Sequence, residues 1–339
     1  ADRLGARWVI TASALILGLG SLLMGTVQTL WMACMVYAMV GIGATGMWIP
    51  IIALVQRWFA PDRRGLALGI LSVGYGLGFA AVGGGFPWIV NHYSWRYAWY
   101  LLGFLALGMV IFNGLLLRTD PAAAKTEPWG LKKPTENPNT QPGPSTDSIR
   151  IKSILKNRLF WQIGLSYFAV CYSLHAFTTF MIDFGGQMGL SIEKASFLAT
   201  VHGVGQIAGV LVILPLSDHL GRKRTILISN TFITFTLISI AITGNSWRML
   251  YLLVGCFALF YGAIFPLYGA CAGDYFPKKI IATVAGAWTP FFGLGAMAAH
   301  WVTGWMRDTI GTYHFAFAIA ATMSFSAMIM IRFVRKTGQ

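Results

Sequence analysis

Long apolar runs dominate the chain, and short polar stretches separate them. A helix needs about 20 mostly apolar residues to cross the hydrocarbon core of a bilayer, and ten runs reach this length. They are residues 8–27, 30–55, 65–90, 97–117, 160–182, 195–216, 225–243, 249–273, 281–305 and 314–334. The runs are far longer than the roughly ten-residue strands of a transmembrane barrel, and they do not alternate polar with apolar residues. The pattern therefore predicts an all-α membrane protein.

The composition agrees with this pattern and excludes several classes of protein. Hydrophobic residues make up 56% of the 339 residues and charged residues only 11%, against about 25% charged in a typical soluble domain. The formal charge is +14, but the basic residues are scattered between apolar runs and form no patch for nucleic acid. The four cysteines lie inside apolar runs without disulfide or metal-ligand spacing, so we expect no metal and no cofactor.

Lysine and arginine are distributed unevenly between the loops, which sets the expected orientation. Alternate loops hold 21 of the 25 basic residues. These loops are residues 1–7, 56–64, 118–159, 217–224, 274–280 and the C-terminal end. Because basic loops stay on the cytoplasmic side, we expect a multi-pass protein of the cytoplasmic (inner) membrane, surrounded by membrane lipids, with its C-terminus in the cytoplasm.

A short charged motif occurs twice, each time before a long apolar run. Residues 1–8 and 217–224 carry the same acidic, glycine and basic residues in the same order, 216 residues apart. A second match supports this register, since Phe59 and Phe276 lie in similar aromatic, proline and basic segments that are 217 residues apart. We interpret the two matches as an internal repeat of two related halves.

The repeat defines the expected domain organisation. The first half covers residues 1–118 with four runs, and the second half covers residues 160–339 with six. Residues 119–159 separate them and contain six prolines among polar residues, which is typical of a linker without a core. The end of this cytoplasmic linker, residues 149–158, is expected to form a short helix on the inner surface beside anionic lipid.

The doubled motif resembles the signature of the major facilitator superfamily. That signature is approximately Gly-x-x-x-Asp-Arg-x-Gly-Arg-Arg, between the second and third helices of each six-helix half. The matching residues are Asp2, Arg3, Gly5 and Arg7 in the first copy and Asp218, Gly221, Arg222 and Lys223 in the second. His219 stands where the family usually has arginine. The resemblance implies a bundle of two pseudo-symmetric halves, with ten helices visible here and the first two of twelve preceding Ala1.

The same resemblance implies a gating role for the motif. In the family the motif is thought to hold the inner side shut, with its acid facing the N-terminus of a helix from the opposite half. Asp2 would then face the start of the ninth run, and Asp218 the start of the third run, near Arg63 and Arg64. Gly5 would keep the turn tight. The alternative is that these basic residues only anchor the topology.

Polar side chains inside the apolar runs mark candidate functional positions, because ionisable groups are costly at membrane depth. Tyr172, His175, Thr179 and Asp183 recur at steps of three and four residues, which places them on one helical stripe that we expect to face a cavity. Asp183 lies near the outer end of the run, where we expect water to solvate it. His175 at this depth can exchange a proton near neutral pH or hold an anion. The alternative is a hydrogen bond to a neighbouring helix.

A second polar group lies on the sixth run. His202 and Gln206 are one helical turn apart there, beside Gly205 and Gly209, which allow close helix packing. The pair is a candidate for the substrate or proton pathway, with the same alternative. His300, near the outer end of the ninth run, fits this role or a contact with the outer interface.

Aromatic residues add weaker candidates. Tyr261 and Tyr268 lie on one face of the eighth run, and Tyr37 lies in the second. Such faces pack more often than they bind, but in the family that the chain resembles the corresponding helices line the central cavity. The candidates on this ground are Tyr37, Tyr172, His175, Tyr261 and Tyr268.

These features favour a transporter driven by an ion gradient. The chain has no Gly-x4-Gly-Lys-Ser/Thr loop, which disfavours ATP-driven transport. We expect a monomeric secondary transporter that moves a small molecule with protons by alternating access, at a site near the midplane between the halves. Residues 63–70, 94–99 and 117–121 are similar to segments of bacterial monocarboxylate and oxalate/formate carriers, which favours a small organic anion. No lysine or arginine lies deep in any run. The missing helices, or His175 and His202, would therefore have to bind the anion.

Three alternatives remain open at this point. One is a membrane receptor that keeps the transporter fold and senses a solute without moving it. Another is an exporter of small hydrophobic compounds. An intramembrane enzyme is disfavoured, because the histidines lie on separate runs and no His-Glu-x-x-His pair occurs. We therefore expect no enzymatic activity.

Overall fold

The computed structural model describes residues 5–59, 64–124, 126–130, 154–242, 246–276 and 281–334. Within these ranges the chain forms eleven α-helices and one 3₁₀ turn, Pro121–Ala124. The helices are α1 (Ala6–Met24), α2 (Leu30–Trp58), α3 (Arg64–His92), α4 (Trp95–Leu116), α5 (Arg158–Thr178), α6 (Met181–Gln187), α7 (Ile192–Leu220), α8 (Arg222–Ile242), α9 (Trp247–Tyr275), α10 (Ile281–Ile310) and α11 (His314–Arg332). The expectation of an all-helical protein is confirmed.

Four of the described helices, α2, α4, α5 and α7, begin where a short polar side chain accepts from a free backbone N–H group. The Thr29 hydroxyl accepts from the N–H of Met32 before α2, and Asn157 accepts from the N–H of Leu159 before α5. Such caps satisfy donors that have no partner inside the helix. The sequence therefore marks the starts of these helices locally.

Eight of the helices are long and apolar enough to cross a membrane, and the count becomes nine if α5 and α6 form one bent span. The predicted number of ten spans is therefore not confirmed. The run 281–305 does form helix α10, but α10 is not among the helices that meet this limit in the described residues.

The fifth predicted span is broken rather than continuous. Helix α5 ends at Thr178, Phe180 leaves helical geometry, and α6 continues at an angle of 44°. The break moves Asp183 off the helix that carries His175, so the predicted stripe of four residues is split after Thr179.

A side chain of α10 and one from the residue just before α11 hold Asp183 at the bend. The Tyr313 hydroxyl donates to Asp183 Oδ2 over 2.6 Å, and Arg307 Nε lies 3.4 Å from the same oxygen. Burial, together with the Asp183 carboxylate, raises the pKa of Tyr313, so its hydroxyl keeps the proton that it donates. Asp183 is half-exposed, as expected, but it is also paired within the protein.

The chain divides into two compact units. Unit 1 comprises Ala1–Leu71 and Gly85–Gln141, and unit 2 comprises Ser72–Gly84 and Pro142–Gln339. In unit 1, α1 packs against α2 and α4. The beginning of the predicted linker packs here as well, since the N–H of Trp129 donates to the carbonyl of Trp58 over 2.8 Å. The rest of the predicted linker, including most of its short surface helix, lies outside the described residues.

Unit 2 holds most of the buried core. Helix α5 packs against α10 and α11, and α9 packs against α7 and α8. The middle of α3, residues 72–84, belongs to this unit and lies against α7. Small residues make the α7–α9 crossing close: a Cβ on Gly209 would overlap the carbonyl of Leu259, and a Cβ on Gly262 would overlap the carbonyl of Gln206. Glycine is thus required at this crossing by the approach of two backbones.

We predict that Gly209→Ala destabilises the protein by about 1–3 kcal/mol, because the new methyl group must push α9 away. Thermal unfolding of the purified protein in detergent measures the effect. Gly269→Ala is the matched control on α9, since nothing lies within 4 Å of its Cβ position, and it should be neutral or slightly stabilising. Equal losses of stability in the two variants would contradict this account of the crossing.

Candidate functional site

The middle of α7 carries two of the predicted pathway residues into the interior of unit 2. His202 is 0% exposed and Gln206 is 8% exposed. Three aromatic rings surround the imidazole: Phe79 at 4.9 Å, Tyr261 at 4.8 Å and Phe257 at 6.2 Å between ring centroids. Tyr261, also predicted, therefore lies beside His202. These residues form the α7 cluster: Phe79, His202, Gln206, Phe257 and Tyr261.

The α7 cluster contains polar atoms that the described residues leave unpaired. Neither Nδ1 nor Nε2 of His202 has a hydrogen-bond partner in this part of the chain, and neither does Oε1 of Gln206. A buried polar group without a partner costs about 1–3 kcal/mol. Since native interiors rarely keep such groups, the cluster has hydrogen-bonding capacity beyond what the fold itself uses.

A second polar cluster joins α5 to α10. His175 Nδ1 lies 2.9 Å from the carbonyl oxygen of Cys171. Because a carbonyl only accepts, Nδ1 carries the hydrogen in the neutral ring and Nε2 is the acceptor. The His175 ring lies 5.7 Å from that of His300, and Thr179 Oγ1 lies 2.7 Å from His300 Nε2. His175, Thr179 and His300 form the histidine cluster.

The histidine cluster is accessible, in contrast to the α7 cluster. Thr179 and His300 are exposed, and His175 is half-buried. One turn before His175, the buried hydroxyl of Tyr172 is directed at that of Thr303, and neither reaches any other described residue. His300, which the sequence allowed at the outer interface, is thus a direct neighbour of two predicted pathway residues.

The remaining aromatic candidates lie elsewhere. Tyr268 is fully buried in the core of unit 2, where its hydroxyl donates to Ser166 Oγ over 2.6 Å and Ser166 in turn donates to the carbonyl of Ala327. This chain of hydrogen bonds ties α9 to α5 and α11. Tyr37 lies in unit 1, is 59% exposed and contacts Trp99 edge to face.

The second copy of the charged motif organises one end of unit 2. Gly221 takes a φ of +83°, which only glycine adopts readily, and it turns the chain from α7 into α8. Arg222 Nη1 then lies 2.7 Å from Asp274 Oδ1, at the end of α9. Asp218 is a more distant partner, at 3.8 Å from Arg222 Nη2. Lys223 Nζ donates to the carbonyls of Arg332 and Val334, at the end of α11.

The first copy has the same turn but different partners. Gly5 has a φ of +77°, close to that of Gly221. The Arg7 guanidinium donates to the carbonyl of Gly114. By the repeat of 217 residues, Arg57 stands where Asp274 stands in the second copy, and Arg57 pairs with Asp120 at 3.0 Å.

Several residues of the predicted gate lie outside the part of the chain that the structure describes. Asp2, Arg3 and Arg63 lie outside the described residues, and of Arg64 only the backbone at the start of α3 is described. The predicted approach of Asp2 and Asp218 to helix starts in the opposite half is therefore outside the described contacts.

Sequence reasoning missed Asp274 and Phe79. Asp274 could have been found, because it aligns with Arg57 in the repeat and lies at a helix end with a charge opposite to that of Arg222. Phe79 carries no such signal, since it is one of 23 phenylalanines and lies 123 residues before His202.

Known proteins are similar to this chain over nearly its whole length. The family profile of the Major Facilitator Superfamily matches residues 1–197 and again residues 163–339. The Hexuronate transporter of Bacillus subtilis is 24% identical, over 98% of this chain and 80% of its own length. Membrane sensor protein UhpC of Salmonella typhimurium is 25% identical over 98% and 77%, and Monocarboxylate transporter 13 of Bos taurus is 23% identical over 94% and 71%.

A solved structure supports the fold. The fucose:proton symporter of Escherichia coli superposes with a TM-score of 0.65, at 14% identity, over 98% of this chain and 84% of its own. At this identity the likeness concerns the fold alone.

For the charged end of unit 2, we predict that Asp274→Asn lowers stability by about 0.5–1 kcal/mol, while Asp218→Asn has almost no effect. Both acids pair with Arg222, but Asp274 is 36% exposed and at 2.7 Å, whereas Asp218 is 70% exposed and at 3.8 Å. Exposed pairs contribute little because water screens them. Thermal unfolding in detergent, repeated in the Arg222→Gln background, gives the coupling of each pair. A larger loss for Asp218→Asn would contradict the assignment.

Proposed function

This chain belongs to the Major Facilitator Superfamily, and on that basis we propose that it is a secondary active transporter of a small organic anion. In this proposal the solute moves together with protons across the cytoplasmic membrane by alternating access of a monomer. Its C-terminus lies in the cytoplasm, and residues 119–159 link the halves 1–118 and 160–339. The fold and the family support transport, and the substrate class and the coupling are the proposed parts.

The histidine cluster is the observation that carries the proposal. All described lysines and arginines lie at helix ends or in loops, so the described middles of the helices hold no permanent positive charge. A neutral imidazole can accept a proton near neutral pH and become cationic. His175 and His300 lie close together on two helices and are open to the exterior of unit 2. Protonation of this pair would create the positive charge that an anion requires, which links anion binding to proton uptake.

The names of the relatives agree with an anionic solute. Hexuronate and monocarboxylates, named in two of the relatives, both carry a carboxylate. The segments of the chain that are similar to monocarboxylate and oxalate/formate carriers lead to the same class.

We further propose that the doubled motif is the gate of this transporter. Gly221, Arg222 and Asp274 connect the ends of α7, α8 and α9, and Lys223 adds α11. Helix ends that are connected in this way move as one rigid body. The motif would therefore keep these helix ends in contact while the second half tilts. Asp2, Arg3, Gly5, Arg7, Arg63 and Arg64 are assigned the corresponding role in the first half.

We predict that proton-driven uptake depends on His175. In proteoliposomes with D-glucuronate or L-lactate as probe, a gradient of one pH unit, acid outside, should accumulate the solute about tenfold for each proton that moves with it. His175→Gln cannot take up the proton, so the variant should not accumulate the solute. The concentration inside the proteoliposomes should then about equal the concentration outside.

The matched control for this experiment is His92→Gln. His92 Nδ1 lies 2.9 Å from the carbonyl oxygen of Trp88, four residues earlier, as His175 Nδ1 does from Cys171. His92 lies in unit 1 and does not belong to the histidine cluster, so its variant should retain the wild-type pH response. The same pH response in His175→Gln as in wild type would overturn the proton-coupling assignment.

A sensor is the second candidate function, because one relative is named a membrane sensor protein. The two functions differ in flux. A transporter exchanges labelled solute across the proteoliposome membrane, so we predict counterflow of the probe that binds. Saturable binding of that probe with no counterflow would instead establish the sensor.

A further inference from the structure

We propose that the α7 cluster binds the hydroxyl groups of the transported solute, which makes this solute a polyhydroxylated carboxylic acid of the sugar-acid type. The inference rests on the proposed transport of an organic anion and narrows its substrate class. It starts from His202 and Gln206, which α7 buries. Both ring nitrogens of His202 and Oε1 of Gln206 have no hydrogen-bond partner among the residues that the structure describes.

The unpaired atoms specify the chemistry of their missing partner. A neutral imidazole offers one donor and one acceptor nitrogen, and the amide oxygen of Gln206 is an acceptor. A carboxylate can only accept, so it satisfies neither acceptor of the cluster. A hydroxyl group donates and accepts at once and can satisfy both kinds of atom. The two side chains, at positions i and i+4, lie on the same helix face about 5–6 Å apart at Cβ, which suits neighbouring hydroxyls of one small solute.

The rings of the cluster suit the rest of such a solute. Phe79, Phe257 and Tyr261 enclose His202 from three sides, and aromatic faces pack well against the C–H groups of a sugar ring. A plain apolar acid could also fill this space, but it would leave His202 and Gln206 unpaired. A site with buried polar groups rejects a ligand that lacks the matching hydroxyls.

The structure presents the α7 cluster in a closed state. Residues 72–84 of α3 lie over it: Phe79 covers the imidazole, and Thr200 Oγ1 donates to the carbonyl of Ala80 over 3.1 Å. A Cβ on Gly203 would overlap the carbonyl of Gly76. No gap separates these segments, so a movement of residues 72–84 away from α7 would open a path to His202. Such a movement is what alternating access requires.

The division of labour between the two clusters follows from their chemistry. The histidine cluster can become cationic and binds the carboxylate of the solute. The α7 cluster is neutral and binds the hydroxyl groups. Phe257 of the α7 cluster also contacts Phe177 of α5, the helix that carries His175.

The test compares three probes on the full chain in detergent by calorimetry. D-glucuronate carries hydroxyls and a carboxylate, cyclohexanecarboxylate has a six-membered ring and the carboxylate without hydroxyls, and D-glucose has hydroxyls without the carboxylate. We expect D-glucuronate to bind more tightly than cyclohexanecarboxylate by about tenfold or more for each hydroxyl that pairs with the cluster. This comparison needs no variant.

Variants then assign the preference to the cluster. Gln206→Met and His202→Phe should each reduce the preference for D-glucuronate over cyclohexanecarboxylate by about tenfold, with little change for the plain acid. Gln162→Met is the matched control, because the Gln162 side chain already donates to the carbonyl of Met330 over 2.8 Å. Its preference should remain that of the wild type.

The outcomes separate this inference from the proposed function. Equal or tighter binding of cyclohexanecarboxylate, or an unchanged preference in Gln206→Met, overturns the hydroxyl site while organic-anion transport stands. Binding of D-glucose as tight as that of D-glucuronate supports the hydroxyl site and contradicts the anionic substrate. Binding of none of the three probes overturns the hydroxyl site.

Discussion

In the hydrocarbon core of a bilayer, backbone N–H and C=O groups have no water to bond with, so each must find its partner within the chain. This constraint makes the apolar runs helices and leaves side-chain size as the main control of how closely the helices approach. Gly209 and Gly262 let α7 and α9 touch backbone to backbone. The same constraint makes the unpaired atoms of His202 informative, because a polar group without a partner is least tolerable in this environment.

The polar residues of unit 2 are sorted by charge along its helices. Charged pairs lie at the ends, as Arg222 with Asp274 and Arg307 with Asp183. The middles keep neutral polar groups, of which the histidines are the ones that can gain a charge near neutral pH. In such a helix bundle, a protonated histidine would supply a positive charge that attracts an anion. This sorting gives a physical reason why proton binding and anion binding would be linked in this protein, without a permanent cation at depth.

Local sequence signals predicted the features that depend on neighbouring residues alone. Hydropathy over about 20 residues is such a signal, and the all-helical fold follows from it. The turn at Gly221 is another, because a glycine between acidic and basic residues allows the observed positive φ. The break after Thr178 could not be predicted in this way, since no proline or glycine marks it. Contacts of Asp183 with residues more than 100 positions away accompany it. Phe79 likewise contacts His202, which is 123 positions away in the sequence, so no local signal predicts its place in the α7 cluster.

The two copies of the charged motif show how a repeat can keep its backbone and change its electrostatics. Gly5 and Gly221 make the same left-handed turn. In the second copy the following arginine pairs with Asp274 on a neighbouring helix, whereas in the first copy Arg57 replaces that acid. Ala6 stands in the first copy where Arg222 stands in the second. Arg57 pairs there with the carboxylate of Asp120, from the segment after α4. In the second unit the pair therefore joins two helices, since Arg222 lies on α8 and Asp274 on α9. In the first unit Arg57 of α2 pairs with Asp120, at the start of the linker. Loss of the Asp120 carboxylate should therefore remove the partner of Arg57 in the first unit and leave the Arg222–Asp274 pair of the second unit unchanged.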